Sequence, residues 1–180
     1  MKIQGILPFA RQTLQSVVQP GDIAIDCTAG NGHDTLFLAK LAGPSGHVFS
    51  FDIQRQALEQ TEHRLKEQDI RDCVTLIEAS HSELKTHIPE QYFGHVKGAI
   101  FNLGYLPGGD KEIVTLAHST IKALEQLLEI LAVGGIIVIV IYHGHEEGKI
   151  EKDAVLSYVS EIPQTVAHIL KYEFINQKNN

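Results

Sequence analysis

The sequence predicts an α/β fold, a doubly wound and mostly parallel sheet with helices on both faces. Two observations support this prediction. Predicted strands alternate with predicted helices along the whole chain, and the first five predicted strands are almost wholly apolar. A strand without polar alternation is buried on both faces, which is typical of a parallel sheet covered by helices.

Short apolar runs bounded by turn residues predict the strands. They lie at 23–27 (IAIDC), 47–52 (HVFSFD), 73–79 (CVTLIEA), 96–102 (VKGAIFN), 136–142 (IIVIVIY) and 165–176 (TVAHILKYEFIN). Ligands of open parallel sheets bind beyond the carboxyl ends of the strands. The residues that follow each strand are therefore the candidates for a site.

Amphipathic spacing and capping signals predict the helices. They cover 8–18, with proline in the first turn, 33–42, 54–68, 115–131 and 146–162, while 80–93 is a loop or a short helix. Gly134 and Gly135 are expected to end the long helix before the fifth strand. No repeat, low-complexity tract or linker interrupts the pattern, so residues 1–180 are predicted to form one domain.

Composition and charge narrow the function classes. The hydrophobic content of 43% is that of a globular protein. No run approaches the roughly 20 apolar residues that span a bilayer, and the N-terminus has no apolar signal core. We therefore expect a cytoplasmic protein without membrane contact. Cys27 and Cys73 are too few for a disulfide framework and lack metal-ligand spacing.

The formal net charge of −7 argues against non-specific binding to long nucleic acid, whose affinity comes from phosphate neutralisation. A local basic patch remains compatible with it. The candidates for such a patch are Lys2, Arg11, Lys85, Lys111, Lys149 and Lys152.

The first strand ends in DCTAGNGHDT, a loop with two glycines. Its candidate residues are Asp26, Gly30, Asn31, Gly32 and Asp34. Two glycines between a strand and a helix let a ligand approach the backbone, and the helix start offers N–H groups. The pattern fits a cofactor-binding loop and also a tight structural turn.

Polar residues also follow the second and third strands. Asp52 can accept hydrogen bonds from the hydroxyls of a ribose, with Gln54 near the same sugar, or it can cap the next helix. Ser80, His81 and Ser82 supply polar groups where an adenine edge would lie, although a serine there can equally cap a short helix.

The fourth and fifth strand ends carry the remaining candidates. AIFNLGYLPGGD places the amide of Asn102 and the phenol of Tyr105 beside a glycine-rich backbone, which suggests a substrate site; the alternative is a turn capped by Asn102. YHGHEEGK, residues 142–149, lacks a recognisable third metal ligand. We predict no metal there, but a substrate-facing loop with Tyr142 or His143 against the target base.

These residues resemble a known family. Asp26-x-Thr28-x-Gly30-x-Gly32, Asp52 and the strand end at Asn102 are similar to class I S-adenosylmethionine (SAM)-dependent methyltransferases. The segments LPFARQTL, PGDIAIDCTAGNGHDTLFLA, FNLGYLPGGDK and YHGHEEGKIE resemble the tRNA 5-aminomethyl-2-thiouridine methyltransferase family, formerly labelled rRNA methylase. The resemblance implies a Rossmann-like class I methyltransferase fold and SAM as cofactor, with S-adenosylhomocysteine (SAH) as product. It also implies methylation of the aminomethyl group at the wobble uridine of the tRNA anticodon loop.

The resemblance also implies roles for individual residues. The implied SAM contacts are Asn31, His33, Asp52, Gln54, His81 and Ser82, and the loop residues Gly30, Gly32 and Asp34 join them as cofactor-binding candidates. In methyltransferases that act on amino groups, an Asn-Pro-Pro-Tyr strand end holds the amine through the Asn oxygen, and the Tyr packs on the base. Asn102 and Tyr105 keep this spacing, while Leu103 and Gly104 replace the prolines. Tyr142 and His143 are candidates for assisting removal of the final proton.

Other functions remain open at this point. One is an rRNA or small-molecule methyltransferase. Another is an NAD-dependent oxidoreductase. The presence of Thr35 at the position of the third glycine of G-x-G-x-x-G argues against this class. A third is a catalytically silent nucleotide-binding protein of the same fold.

The C-terminus departs from the family pattern. Class I methyltransferase sheets close with a two-stranded hairpin, whereas this sequence supplies one predicted strand and then QKNN. We expect either a truncated chain or an unrecorded tail. A missing final strand would leave an open sheet edge and favour a homodimer.

Overall fold

The structure, a computed structural model, describes residues 3–104, 115–144 and 146–176. Its helices are α1 Ile6–Gln15, α2 His33–Ala42, α3 Arg55–Glu67, α4 Leu84–His87, α5 Ala117–Ile130 and α6 Glu146–Ser160. Its strands are β1 Ile23–Asp26, β2 His47–Asp52, β3 Val74–Glu78, β4 Val96–Leu103 and β5 Leu131–Ile141. Short 3₁₀ turns at His81–Glu83 and Glu90–Tyr92 flank α4.

The strands form a parallel sheet in the order β3-β2-β1-β4-β5. Two apolar cores cover its faces, because successive strand residues point to opposite sides. Ile25 and Phe101 lie in the core shared with α5 and α6, whereas Ala24 and Ile100 lie in the core shared with α1, α2 and α3. The predicted doubly wound α/β fold is confirmed.

The central strand β1 brings the candidate residues to one edge of the sheet. All four of its residues are buried, and its last residue, Asp26, pairs in register with Ser50 of β2 and Ile100 of β4. Because all strands run the same way, the residues after β1, β2 and β4 meet beyond this edge. No helix in the described ranges is long and apolar enough to cross a membrane.

The expected helix end at Gly134 and Gly135 is wrong. Helix α5 ends at Ile130 and β5 begins at Leu131, so both glycines lie inside the strand. Gly134 has φ +77°, and a Cβ on Gly135 would lie 2.7 Å from the Leu131 side chain. The glycines permit a register shift in the β4–β5 pairing rather than a helix cap.

The predicted final strand is also wrong, since the described residues 163–176 form no strand. Tyr172 instead stacks on Phe9 of α1, with ring centroids 4.0 Å apart, and its hydroxyl donates to the Gln4 carbonyl at 2.6 Å. Aromatic packing on the N-terminal helix replaces sheet pairing. In the described part of the chain, β5 is therefore the last strand on its side of the sheet.

Candidate active site

The glycine loop between β1 and α2 is bound to α3. Thr61 donates its hydroxyl to the Gly30 carbonyl at 3.2 Å, and Arg64 Nε donates to the Asn31 carbonyl at 2.7 Å. Gly32 has φ +75°, and a Cβ there would lie 2.8 Å from the Thr61 Cα. The loop requires glycine at position 32 because of its conformation and because α3 lies so close. His33, the first residue of α2, lies beside Arg64; burial first, then this arginine, lower its pKa.

A buried network holds the same loop from the sheet side. Thr35 donates its hydroxyl to Asp26 Oδ2 at 2.6 Å, so the Ser50 hydroxyl, 2.8 Å away, donates to Thr35. The backbone N–H of Thr28 donates to Asp26 Oδ1 at 3.0 Å. Burial, followed by the charge of Asp34, raises the pKa of Asp26 to about 7. Thr35 at the position of a third glycine thus has a structural role in this network.

Asp52 joins the ends of β1 and β2. Its Oδ2 accepts from the Gly30 N–H and its Oδ1 from the Gln54 N–H, each at 2.9 Å. The second bond is made to Gln54, the N-cap residue of α3, so Asp52 precedes the helix cap and does not form it. Burial raises the pKa of Asp52. Each carboxylate oxygen keeps a further lone pair, so the residue can still accept hydrogen bonds from a ribose.

His81 presents a buried acceptor next to the end of β1. Its Nδ1 lies 3.0 Å from the Cys27 carbonyl, which can only accept, so Nδ1 carries the proton and Nε2 is the acceptor. Within the described residues Nε2 has no hydrogen-bond partner. Burial lowers the pKa of His81 and favours the neutral ring. Ser80 caps the adjoining turn by accepting from the Ser82 N–H at 3.2 Å, as the capping alternative predicts.

Asn102 near the end of β4 presents a second buried acceptor. Its backbone N–H donates to the Thr28 hydroxyl at 2.7 Å, and its Nδ2 donates to Asp34 Oδ2. Its Oδ1 is buried, and no group in the described ranges donates to it. The other oxygen of Asp34 accepts from Arg11 Nε at 3.0 Å and Nη2 at 2.8 Å. Asp34, a cofactor-binding candidate, therefore contacts the amide of Asn102.

Tyr142 and His143 follow β5, and the Tyr142 side chain lies beside Gly104, while Tyr105 lies outside the described residues. The Tyr142 N–H donates to the Leu103 carbonyl at 3.1 Å, and the side chain is half exposed. Burial, followed by the charge of Asp34, raises the pKa of Tyr142, so its phenol keeps its proton. His143 Nε2 lies 3.3 Å from the Lys152 ammonium. Among the described residues, no group of three or more His, Cys, Asp or Glu side chains could hold a metal ion.

These contacts make a site of acceptors around residues 27–34. Asp52, His81 and Asn102 each form a hydrogen bond with a residue of this segment. These bonds place the Asp52 carboxylate, the His81 Nε2 and the Asn102 Oδ1 next to the segment. Such a set of acceptors suits a ligand rich in hydroxyl and amino groups.

Comparisons with known proteins agree with this description. The sequence profile of a family described as "Putative rRNA methylase" matches residues 48–180. The chain belongs to this rRNA methylase family. A crystal structure of a "putative rRNA-methylase" from Clostridium thermocellum is 40% identical, with a TM-score of 0.94, covering 99% of this chain and 94% of the other. A "putative methyltransferase" from Streptococcus mutans, crystallised with SAH, is 37% identical, with a TM-score of 0.87 and the same coverage.

A curated relative that aligns over most of this chain is named for a tRNA reaction. It is the chloroplastic tRNA (mnm5s2U34)-methyltransferase of Arabidopsis thaliana, 37% identical over 171 residues and 91% of this chain. The chain spans 62% of that relative's length. Together with the solved structures, these matches confirm the class I methyltransferase fold and the rRNA methylase family.

Sequence reasoning missed the role of three residues in this family member. Thr61 and Arg64 fix the glycine loop, and Arg11 binds Asp34. Helical periodicity places Thr61 and Arg64 on α3 without indicating that α3 touches the loop. Arg11 was a candidate for a basic patch and lies in LPFARQTL, one of the segments that carry the resemblance, but neither signal indicates that it binds Asp34.

Proposed function

We propose that the chain is a SAM-dependent N-methyltransferase that acts on tRNA. It converts the 5-aminomethyl group of the wobble (2-thio)uridine to methylaminomethyl. The observation that carries this proposal is the Asn102 amide, whose Oδ1 is a buried acceptor without a partner in the described ranges. The 37% identity to the Arabidopsis tRNA methyltransferase supports the choice of acceptor nucleoside.

The residues present fit SAM. Asp52 would accept the ribose hydroxyls with Gln54 near the sugar, and His81 Nε2 and Ser82 would face the adenine. Gly30, Asn31, Gly32 and His33 would line the loop against the rest of the molecule; the outward N–H groups of a helix start suit a carboxylate. When bound, SAM supplies a methyl group from its sulfonium, and the amine nitrogen that receives it gives up one proton.

Asn102 selects and holds the nucleophile. A free alkylammonium has a pKa of about 10, and its protonated form has no lone pair. Desolvation in a site lined by buried groups favours the neutral amine, and the Asn102 Oδ1 accepts a hydrogen bond from it. Catalysis then comes mainly from positioning, without a covalent enzyme intermediate.

The two residues after β5 take different parts. The raised pKa of Tyr142 makes its phenolate rare at neutral pH, so we assign this ring to contact with the base, as we do for Tyr105. His143 remains the candidate proton acceptor. The Lys152 ammonium, which can only donate, lies 3.3 Å from its Nε2 and occupies that lone pair, so His143 takes up the amine proton only once this contact has opened.

Recognition of the anticodon loop would depend on stacking and shape rather than on a large basic surface. Each basic candidate in the described ranges already has an acidic partner; the pairs are Arg11–Asp34, Lys85–Glu129, Lys149–Glu146 and Lys152–Glu173. Unpaired bases splayed onto aromatic rings are the usual target of sequence-specific RNA recognition. This fits the formal charge of −7. We further propose a cytoplasmic enzyme, and a homodimer formed along β5.

The test is nucleoside mass spectrometry of tRNA incubated with the protein and SAM. We expect conversion of the aminomethyl to the methylaminomethyl wobble uridine. Asn102→Ala should lower turnover about 100-fold, while calorimetry should find the affinity for SAM nearly unchanged. The matched control is Asn31→Ala, which removes an amide from the loop and should weaken SAM binding instead.

Three outcomes contradict parts of the proposal. Methyl incorporation into rRNA and not into tRNA would show that the substrate is rRNA. Tight binding of NAD without binding of SAM or SAH would exclude a methyltransferase and favour an NAD-dependent oxidoreductase. Loss of both turnover and SAM affinity in Asn102→Ala would overturn the role of Asn102.

A further inference from the structure

We propose that Asp34, held by Arg11, is a positioning residue that sets the direction of the Asn102 amide. The inference rests on the proposed function for its catalytic consequence. Arg11 lies on α1, Asp34 in the first turn of α2 and Asn102 near the end of β4, so three elements distant in sequence meet at this chain of contacts.

The two carboxylate oxygens of Asp34 have separate partners. Oδ1 accepts hydrogen bonds from Arg11 Nε at 3.0 Å and Nη2 at 2.8 Å, and Oδ2 accepts a hydrogen bond from the Asn102 Nδ2. Only 8% of Asp34 is exposed, so its charge lies largely outside solvent and Arg11 supplies the countercharge. The Arg11 guanidinium also lies 5.6 Å from the centre of the Phe37 ring on α2.

This arrangement allows the Asn102 amide one orientation. An ionised carboxylate has acceptors alone, whereas an amide has a donor end and an acceptor end. Turning the Asn102 amide by 180° would place its oxygen against Asp34 Oδ2 with no proton between them. The carboxylate thus keeps Nδ2 toward itself and leaves Oδ1 as the acceptor for an amine.

The exchange that isolates this effect is Asp34→Asn. An asparagine at position 34 has nearly the same shape but can donate or accept, so it no longer imposes one orientation on Asn102. We expect kcat to fall about 10-fold or more, with the Kd for SAM changed less than about 3-fold, because misdirected positioning groups lower turnover. Arg11→Lys keeps the positive charge but loses the two-nitrogen contact with Asp34. Its kcat should lie between those of the wild type and Arg11→Gln.

The decisive measurement is a double-mutant cycle on single-turnover methyl transfer from labelled SAM. If Asp34 acts through Asn102, Asp34→Asn should have no further effect in the Asn102→Ala background. A merely structural role would lower the rate by the same factor in both backgrounds. Arg55→Gln is the matched control, since it removes an exposed arginine–glutamate pair on α3 and should leave kcat unchanged.

NMR of the free protein separates this inference from the proposed function. Asn102 side-chain amide protons should exchange slowly in wild type and faster in Asp34→Asn. Protected protons without any tRNA methylation would overturn the proposed function and keep the assignment of Asp34. Equal exchange in both proteins, equal rate losses in both backgrounds, or a fall in SAM affinity matching the fall in kcat would overturn the inference.

Discussion

Replacing Gly32 by alanine should destabilise the protein far more than the same change at Gly94. The two glycines have nearly the same φ, +75° and +78°, so the strain of a Cβ at positive φ is common to both. Their surroundings differ. At Gly94 nothing lies within 4 Å of an added Cβ, whereas at Gly32 it would lie 2.8 Å from Cα and 3.0 Å from Cβ of Thr61. Comparing the two variants therefore separates the backbone strain of a positive φ from the steric clash with Thr61.

The magnitudes follow from these contacts. The left-handed strain costs about 1–2 kcal/mol, which is the whole effect expected for Gly94→Ala. At Gly32 the Thr61 backbone must also move, and α3 with it, so we expect a further loss of about 1–3 kcal/mol. Urea unfolding of the two variants measures the difference directly, and SAM calorimetry should show weaker binding for Gly32→Ala alone. Equal unfolding free energies for both variants would refute the claim that α3 fixes the loop.

Two further predictions concern buried carboxyl groups. The pKa of Asp26, about 7 in the folded protein against 3.8 ordinarily, means that the folded state retains a proton which the unfolded state releases between about pH 4 and 7. The free energy of unfolding should fall by up to about 4 kcal/mol as the pH rises through this interval, and urea unfolding should show a flatter profile for Asp26→Asn; an unchanged slope would contradict the assignment. Glu151 accepts the hydroxyls of Thr115 at 2.5 Å and Thr120 at 2.7 Å. Glu151→Leu leaves both without that acceptor and should cost about 2–4 kcal/mol in urea unfolding, while Glu151→Gln should cost about 1 kcal/mol; equal losses would show that the hydroxyls find other partners.

Local sequence patterns were sufficient for most of the fold. The predicted bounds of α2 and β2 match the structure at both ends, because Gly32 and Gly43 flank α2, while Gly46 precedes β2 and the polar Asp52 ends it. The same kind of signal misled at Gly134, since a glycine after an apolar helix is typical of a cap and also of an irregular strand. The prediction of a final strand was wrong because Tyr172 packs on Phe9, a residue far away in the sequence. No local sequence pattern encodes such a contact.

The candidate site divides in the same way. Residues after the strands could be named from the order of the elements, and Asp52, His81 and Asn102 do lie at one edge of the sheet. Which atom of each residue is engaged depends on partners distant in sequence. Asp34 fits a cofactor-binding loop by its position, yet its contacts in the folded chain are Arg11 and Asn102.

His81 Nε2 and Asn102 Oδ1, which have no hydrogen-bond partner among the described residues, suggest where a ligand would lie. His81 bonds to Cys27 and Asn102 bonds to Thr28, so the same short segment after β1 anchors both residues. A buried polar atom without a partner costs about 1–3 kcal/mol, a large part of the 5–15 kcal/mol that stabilises a typical domain. A fold that keeps two such atoms beside one loop gains most from a ligand that donates to both. An adenosyl group with its amino end at His81, and an amine substrate at Asn102, would together satisfy them across the tip of β1.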